Sequence, residues 1–317
     1  MDETEFQALS AQLGALSEVQ REAILAALSA KASGTDALTL IDQRFAAHPV
    51  CGHCRATRFT RWGTSNGLIR YQCQDCGSTF NALTGTPLAH LRRRDAWFAY
   101  AQALVDRLPL RKAAKRVGIA LDTAFRWRHR FLEKPQDIKP AKVEGVVEAD
   151  ETFVLKSQKG ARQIVGRKPR KRGGKASKPG LSTQEHDCIL VIRDRHGVTT
   201  DALLPDLEGK TFAAVLEPVV AKDAVLVTDG RAAYGQWAEG AGVLNIWLNA
   251  SKGERSYGVY HLQNVNGYHA RFKGWLAPFR GVASKYLASY LGWHRMKDRE
   301  GDRLGAAGCL CAACGFG

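Results

Sequence analysis

The chain has 317 residues, with 46 Lys and Arg against 31 Asp and Glu, and therefore a formal charge of +15 at pH 7. Hydrophobic residues make up 45% of it, which is enough to bury a core and excludes a disordered chain or a disulfide-stapled miniprotein. No apolar run approaches the roughly 20 residues that cross a bilayer, and the acidic start does not resemble a signal peptide. We therefore expect a cytoplasmic protein with reduced cysteines, no membrane partner and, given its charge, a polyanionic partner such as nucleic acid.

The first 90 residues predict a helical element followed by a zinc ribbon. Residues 1–46 carry leucines at spacings of three and four, which predicts a helical segment that packs or dimerises. Over 47–90, two Cys-x-x-Cys pairs are separated by eighteen residues. This spacing suits four thiolates around one structural Zn²⁺; a redox pair or four buried thiols are the alternatives. The predicted zinc ligands are Cys51, Cys54, Cys73 and Cys76.

Residues 91–138 predict a helix-turn-helix segment. A first helix ends at Gly118, and Asp122 is placed to cap a second helix over 123–132, which is rich in Arg. A cationic helix entered from a tight turn suits the major groove of DNA, whereas a plain helical hairpin is the alternative. The predicted DNA contacts on this helix are Thr123, Arg126, Arg128 and Arg130.

Residues 155–180 are the most basic part of the chain. They hold ten cations and no Asp or Glu, and they are rich in Gly, Ser and Pro. This composition predicts a mobile loop that binds DNA phosphates, and a solvated basic loop is the alternative. The predicted DNA-binding residues of the loop are Arg167, Lys168, Arg170, Lys171 and Arg172.

The pattern after the helix-turn-helix segment is one of strands with interspersed helices. Strands are predicted at 143–154, 188–193, 198–204 and 224–228, and a helix at 210–219. We therefore expect an α/β fold with a mixed sheet and flanking helices. Asp150 lies on the first of these strands, and Asp229 lies at the carboxyl end of the last, where α/β sheets carry their sites.

Asp150 and Asp229 repel each other when they are brought together, so a divalent cation is expected between them. Oxygen ligands favour Mg²⁺ or Mn²⁺, and such a pair supports in-line phosphoryl transfer. Capping or turn roles are the alternative for two Asp at these positions. Glu151, which follows Asp150, is expected to point to the opposite face of the sheet and to be structural.

The segment from Tyr260 to Trp275, YHLQNVNGYHARFKGW, carries a family resemblance together with three other motifs. These are EADET at 148–152, TDG at 228–230 and FRGVASKYLASYLGW at 279–293. In this order they resemble bacterial insertion-sequence transposases of the ISXO2-like group. The resemblance implies an N-terminal zinc ribbon and, over 139–298, an RNase H-like catalytic domain of the Asp-Asp-Glu type, in which one branch carries Asn in place of Glu.

The resemblance also implies the roles of single residues. Asp150 and Asp229 correspond to the two metal-binding Asp, Asn266 to the third position, and Lys273 to a Lys seven residues later. Seven residues are close to two helical turns, so Asn266 and Lys273 project from one helix face and reach one phosphate. A neutral Asn holds a second ion less firmly than a carboxylate does. His269, three residues after Asn266, is expected to be a packed or solvated residue, and the alternative is that it faces the site.

The last part of the chain, 299–317, is rich in Cys, Gly and Ala. Its three cysteines, Cys309, Cys311 and Cys314, are too few to close a four-ligand zinc site by themselves. An unstructured end is therefore expected there rather than a partial metal site.

The expected function is DNA transposition, with the ribbon and helix-turn-helix binding terminal inverted repeats and the Asp-Asp-Asn-Lys site cutting and joining strands. The expected cofactors are catalytic Mg²⁺ or Mn²⁺ and structural Zn²⁺. The expected partner is double-stranded DNA, at the element ends and at the target, bound by a homo-oligomer that is nucleoid-associated in a bacterial cell. The alternatives are a catalytically inactive DNA-binding regulator and a metal-dependent nuclease that does not join strands.

Overall fold

The computed structural model describes residues 37–166, 168–170, 174, 176, 183–249 and 252–316, with nine positions before residue 37 (2, 4, 7, 8, 11, 12, 16, 17 and 20). Most of the helical segment predicted at 1–46 lies outside the described residues, and 37–47 are helical. The chain forms two compact units, which are Met1–Lys134 with Leu304–Gly317, and Pro135–Arg303. Among the described residues, no helix has the length and apolar character needed to span a membrane.

The first unit contains a three-stranded antiparallel sheet that carries the four cysteines. Its strands, in spatial order, are β1 (Phe59–Ser65), β2 (Leu68–Cys73) and β3 (Thr79–Asn81). Asn66 and Gly67 connect β1 to β2 with φ angles of 53° and 79°, which is the left-handed conformation that an Asn-Gly hairpin turn needs. One Cys pair precedes β1 and the other closes β2, and because Phe59 pairs with Cys73 the two pairs meet at one end of the hairpin.

Three helices follow this sheet: α1 (Trp97–Val105), α2 (Leu110–Val117) and α3 (Leu121–Glu133). α2 ends at Gly118, whose φ of 68° allows its N–H to bond the carbonyl of Ala114. Two helices joined by a short turn are therefore present where the sequence predicts them. Asp122 is not the N-cap, however, because α3 begins one residue earlier with Ala120 in the capping position.

The tail is helical, so the prediction of an unstructured end is wrong. Ala306–Cys314 form α8, which packs against α1 and α3. Cys309, Leu310 and Ala313 are almost completely buried. Burial raises the pKa of the Cys309 thiol to about 12, so this residue behaves as a small apolar side chain rather than as a ligand or nucleophile.

The prediction that Arg128 contacts DNA is also wrong. Its side chain is fully buried and does not form part of an exposed cationic face. Its Nη2 donates a hydrogen bond of 2.7 Å to the carbonyl oxygen of Leu108, in the loop between α1 and α2. A guanidinium held in this way stabilises the helix packing and cannot enter a DNA groove. Arg126 and Arg130 are exposed and Thr123 is half-buried.

The second unit is built around a five-stranded mixed sheet. In spatial order its strands are β6 (Thr199–Leu204), β5 (His186–Asp194), β4 (Val146–Leu155), β7 (Val225–Thr228) and β8 (Leu244–Trp247). β4 pairs antiparallel with β5 and parallel with β7, so it joins the antiparallel half of the sheet to the parallel half. The predicted α/β fold with a mixed sheet is confirmed.

Two helices, α4 (Gly209–Leu216) and α5 (Ala232–Ala241), belong to the main core of this unit. Phe212 and Tyr234 pack there with Val147 and Ala149 of β4. Successive side chains of a strand point to opposite faces. Glu151 therefore starts from the same face as Val147 and Ala149, whereas Asp150 starts from the other.

The rest of the unit follows β8. It comprises a short hairpin of β9 (Ser256–Tyr257) and β10 (Tyr260–His261), and the helices α6 (Gln263–Leu276) and α7 (Leu287–Glu300). An aromatic cluster joins α6 to α7, and its central contact is between Trp275 and Trp293, with ring centroids 4.8 Å apart. This packing fixes the position of α6, which carries Asn266, His269 and Lys273.

The connection between β4 and β5, residues 156–185, contains the predicted basic loop. Its first residues are anchored to the segment between α6 and α7. Nζ of Lys159 donates to the carbonyl oxygens of Phe279 and Gly281, at 3.2 and 2.9 Å. Ser157 and Ser284 exchange two hydrogen bonds, at 2.8 and 2.9 Å. The start of the loop is therefore a folded part of the unit.

The predicted DNA contacts of the loop differ in their surroundings. Lys168 is exposed. Arg170 forms an ion pair of 3.4 Å with Glu185, and its side chain is only 16% exposed. The guanidinium of Arg170 therefore already has an acidic partner, with which a DNA phosphate would compete. Arg167, Lys171 and Arg172 lie outside the described residues.

The substitution Arg128→Met tests the structural assignment of Arg128. It keeps most of the buried volume but removes the charge and the bond to Leu108, so we expect the first unit to lose about 2–3 kcal/mol of unfolding free energy. Urea denaturation followed by circular dichroism measures the loss. Arg126→Met, at an exposed position of the same helix, is the control and should change stability by less than about 0.5 kcal/mol. Equal stability of the two variants would contradict the assignment.

Candidate active site

The sheet brings Asp150, in the middle of β4, beside Asp229, at the carboxyl end of the neighbouring strand β7. β4 extends beyond its last pairing with β7, between Glu148 and Val227, so Asp150 lies level with the end of β7. Asp229 follows Thr228, the last residue of β7, as the sequence predicts. One carboxylate oxygen from each of Asp150, Glu151 and Asp229 lies within 4.8 Å of the other two.

Glu151 belongs to this carboxylate group, which corrects the prediction that it lies apart from Asp150. Although it starts from the opposite face of β4, its longer side chain reaches the strand ends. Its Oε1 lies 2.8 Å from Nε of Arg231, and the Glu151 side chain is only 2% exposed. Arg231 follows Asp229 by two residues, so the turn that carries Asp229 also supplies the cation for Glu151.

Asp150 is the carboxylate whose charge is least compensated. It accepts a backbone hydrogen bond of 2.9 Å from the N–H of Glu151. Burial, and then the neighbouring charges of Glu151 and Asp229, raise the pKa of Asp150 to about 7. Three carboxylates at this spacing offer a divalent cation several oxygen ligands, which is the donor set that Mg²⁺ and Mn²⁺ prefer. The residues present therefore fit such an ion.

The turn after Asp229 requires glycine. Gly230 has a φ of 87°, and a Cβ at this position would lie 3.0 Å from Cε3 of Trp247, at the end of β8. The carboxylate Oδ1 of Asp229 accepts a hydrogen bond of 3.1 Å from the N–H of Arg231. The backbone conformation therefore orients Asp229, and the side chain of Trp247, 56% exposed, lies beside it.

A buried carboxylate on β4, Glu148, anchors the start of α6. Its two oxygens accept hydrogen bonds of 2.9 Å from the side-chain amide of Asn264 and from the N–H of Val265. Nη1 of Arg195 lies 2.8 Å from the same carboxylate, which is completely buried. Because Glu148 precedes Asp150 by two residues, these bonds fix α6 relative to Asp150. The sequence analysis did not assign this role to Glu148. A signal for it was the spacing of two residues between Glu148 and Asp150, which places both side chains on one face of the strand.

Asn266, His269 and Lys273 lie along one face of α6 at spacings of three and four. Asn266 and Lys273 are exposed, while His269, between them, is buried. Nδ1 of His269 lies 3.8 Å from Oδ2 of Asp150. Burial, and then the charge of Lys273, lower the pKa of His269 to about 4, so its ring is neutral at physiological pH. His269 of α6 therefore lies beside Asp150.

The four predicted zinc ligands also come together, in the first unit. The sulfur of Cys51 lies 3.7 Å from that of Cys76, and the sulfur of Cys54 lies 3.6 Å from that of Cys73. Four sulfurs at about 2.3 Å from one tetrahedral Zn²⁺ would be separated by about 3.8 Å. The cluster therefore fits zinc, with four thiol ligands and no open position.

Comparison with known proteins identifies the class to which this architecture belongs. Residues 142–293 match the model of the family described as the ISXO2-like transposase domain. The protein is a transposase, as the sequence motifs indicate. More narrowly, the segment that holds the sheet, the three carboxylates and α6 matches the ISXO2-like transposase domain, which supports an insertion-sequence transposase.

Two further similarities accompany this match. An uncharacterized protein in transposable element ISH50 of Halobacterium salinarum is 27% identical over 248 residues, which are 76% of this chain and 82% of that protein. The crystal structure of a pre-cleavage Mos1 transpososome has 13% sequence identity and a TM-score of 0.24, over 68% of this chain and 78% of that one.

The raised pKa of Asp150 predicts a dependence of stability on pH. The folded state binds a proton at a pKa of about 7, against 3.8 for an ordinary Asp, so protonation of Asp150 favours folding. The unfolding free energy of the wild type, relative to that of Asp150→Asn, should therefore fall as the pH rises from 5 to about 7 and level off above it. Urea titrations without added Mg²⁺ or Mn²⁺ measure this difference.

The control for this prediction is Asp223→Asn, at an exposed position before β7. The unfolding free energy of the wild type relative to that of Asp223→Asn should not fall between pH 5 and about 7, because Asp223 lies at the other end of β7. A pH-independent difference between wild type and Asp150→Asn would contradict the prediction.

Proposed function

We propose that this protein binds the ends of its own insertion sequence and catalyses metal-dependent cleavage and joining of DNA strands at Asp150 and Asp229. The observation that carries the proposal is the group of three carboxylates formed by the middle of β4 and the carboxyl end of β7, inside the transposase domain. Such a group is unfavourable in the absence of a cation, because burial and mutual repulsion oppose its charges.

Asp150 and Asp229 are the residues that would hold the divalent cations. Bound at this position, Mg²⁺ or Mn²⁺ would activate an attacking oxygen and stabilise a leaving oxygen at the scissile phosphate. Asp229 is oriented by the turn at Gly230. Glu151 adds negative charge but is held by Arg231, so its main effect is electrostatic.

The reaction would proceed in two displacements at phosphorus. Water attacks the phosphodiester at the element end and releases a 3′-hydroxyl, which then attacks a phosphodiester of the target. Each displacement forms one P–O bond and breaks another, so neither a covalent protein intermediate nor a redox cofactor is required. Lys273, exposed on α6, would contact the DNA phosphate as a point charge.

Recognition of the element ends would belong to the first unit. The zinc ribbon and the exposed residues Arg126 and Arg130 of α3 support this assignment, with Thr123 near the N-terminal end of that helix. The cations of the loop between β4 and β5 would neutralise DNA phosphates near the strand ends. Joining paired ends requires more than one copy of the chain, so we propose a homo-oligomer on double-stranded DNA.

The decisive experiment is a strand-transfer assay with labelled end DNA, a target plasmid and Mg²⁺. We expect the wild type to give joined products, and Asp150→Ala and Asp229→Ala to reduce them at least about 100-fold, because each variant removes a metal ligand. Asp223→Ala removes an exposed Asp at the other end of β7 and should retain activity. Binding of the end DNA should be similar in all four proteins.

Other outcomes of this assay separate the alternatives. Cleavage without joining would favour a metal-dependent nuclease. Binding of end DNA by the wild type without cleavage or joining would contradict the enzymatic proposal and favour a DNA-binding regulator.

Zinc in the ribbon is tested by metal analysis. We expect one Zn²⁺ per chain in the wild type and almost none in Cys73→Ser, whose end binding should fall at least about tenfold because structural zinc supplies folding free energy. His53→Ala is the control, since His53 lies within the first Cys pair but is not one of the four ligands. Unchanged zinc content in Cys73→Ser would contradict the ligand assignment.

A further inference from the structure

His269 is the buried polar residue of α6 at the carboxylate group. Only 7% of it is exposed, and it lies one helical turn after Asn266 and one before Lys273. Its Nδ1 is 3.8 Å from Oδ2 of Asp150. The side chain therefore lies beside the carboxylate with the raised pKa, on the face of α6 that sequence analysis assigns to Asn266 and Lys273.

Packing alone does not explain an imidazole in this place. Its Nε2 has no hydrogen-bond partner among the described residues, and 3.8 Å is too long for a hydrogen bond between Nδ1 and Asp150. A buried polar atom without a partner costs about 1–3 kcal/mol. A phenyl ring would fill the same space without that cost, so packing does not account for the imidazole, and Nδ1 is the nitrogen that is placed beside Asp150 to bind a ligand.

The distance between His269 and Asp150 suits two ligands of one ion. At metal–ligand distances of about 2.1 Å, adjacent ligands of an octahedral ion are about 3 Å apart and opposite ligands about 4.2 Å. The separation of 3.8 Å is closer to the value for opposite ligands, so a small side-chain adjustment would bring both atoms to one ion. His269 is not part of the group within 4.8 Å that Asp150 forms with Glu151 and Asp229, so an ion at His269 would be a different one from the ion at Asp229.

We propose that His269 is a protein ligand of a second divalent cation, which it shares with Asp150, while Asp150 and Asp229 hold the first. This inference rests on the proposed metal-dependent function. Asp150 then bridges two ions, and His269 occupies the third ligand position that the family resemblance implies for Asn266.

The assignment predicts a preference among metals at the second position. Imidazole is a softer ligand than a carboxylate and favours transition metals, so this position should take Mn²⁺ in preference to Mg²⁺. His269→Asp supplies a carboxylate instead and should shift the preference toward Mg²⁺. If His269 had a purely structural role, its substitution by Asp would not change the metal preference in this way.

The test uses the full chain with Mn²⁺ as the probe and does not depend on activity. Electron paramagnetic resonance counts bound Mn²⁺, and its pulsed form detects nitrogen coupled to the ion. We expect two ions in the wild type, with a nitrogen coupling. In His269→Ala the coupling should disappear and the affinity of the second ion should fall at least about tenfold, and Asp150→Ala should lose both ions.

The matched control is His294→Gln, which removes another buried imidazole, on α7, where it packs against Tyr268 and Phe272. This variant should keep both the second ion and the nitrogen coupling. Circular dichroism verifies the fold of each variant. If His269→Ala does not fold, the wild-type coupling and the metal preference of His269→Asp decide the question.

The outcomes separate this inference from the proposed function. A wild type that joins DNA but shows no nitrogen coupling, or a coupling that persists in His269→Ala, would overturn the ligand assignment and leave the function intact. A wild type with the coupling that joins no DNA would contradict the function and leave the ligand assignment intact.

Discussion

The burial of negative charge on β4 is the constraint on which the second unit depends. Glu148, Asp150 and Glu151 lie within four residues of the central strand, and each buried carboxylate costs free energy unless donors or cations compensate it. Arg195 and the start of α6 compensate Glu148, and Arg231 compensates Glu151. Asp150 has no Arg or Lys at ion-pair distance among the described residues. The fold thus pairs two of the carboxylates with cationic side chains and leaves Asp150 without one.

The same contacts connect the fold to the chemistry. Glu148 holds α6 through a backbone N–H and a side-chain amide, and two residues later the same strand carries Asp150. The distance from Asp150 to the polar face of α6 is therefore set by hydrogen bonds as well as by the aromatic contacts between α6 and α7. On the other side, the short strand β7 ends level with Asp150, because β4 continues past their last pairing. A carboxylate after β7 then lies beside Asp150.

Local patterns in the sequence predicted much of this arrangement. The Cys spacing predicted the four-sulfur cluster, and the alternation of strand and helix signals predicted the mixed sheet and Asp229 at a strand end. The predictions that were wrong concern burial. The arginines of α3 look alike in the sequence, yet Arg128 is buried and Arg126 is exposed. The tail looked too small and too flexible to fold, but its small side chains allow α8 to lie close to α1 and α3.

By itself, the sequence determined the order of the elements, the spacing of the zinc-binding cysteines, the family resemblance and the positions of Asp150 and Asp229. Each of these depends on residues that are near one another in the chain or on a recognisable motif. Only the tertiary structure decided that Glu151 joins the carboxylates, that Glu148 anchors α6 and that His269 lies next to Asp150. These contacts join residues more than one hundred positions apart or on opposite faces of a strand. Side-chain length and helix packing determine them, and neither can be read from local spacing.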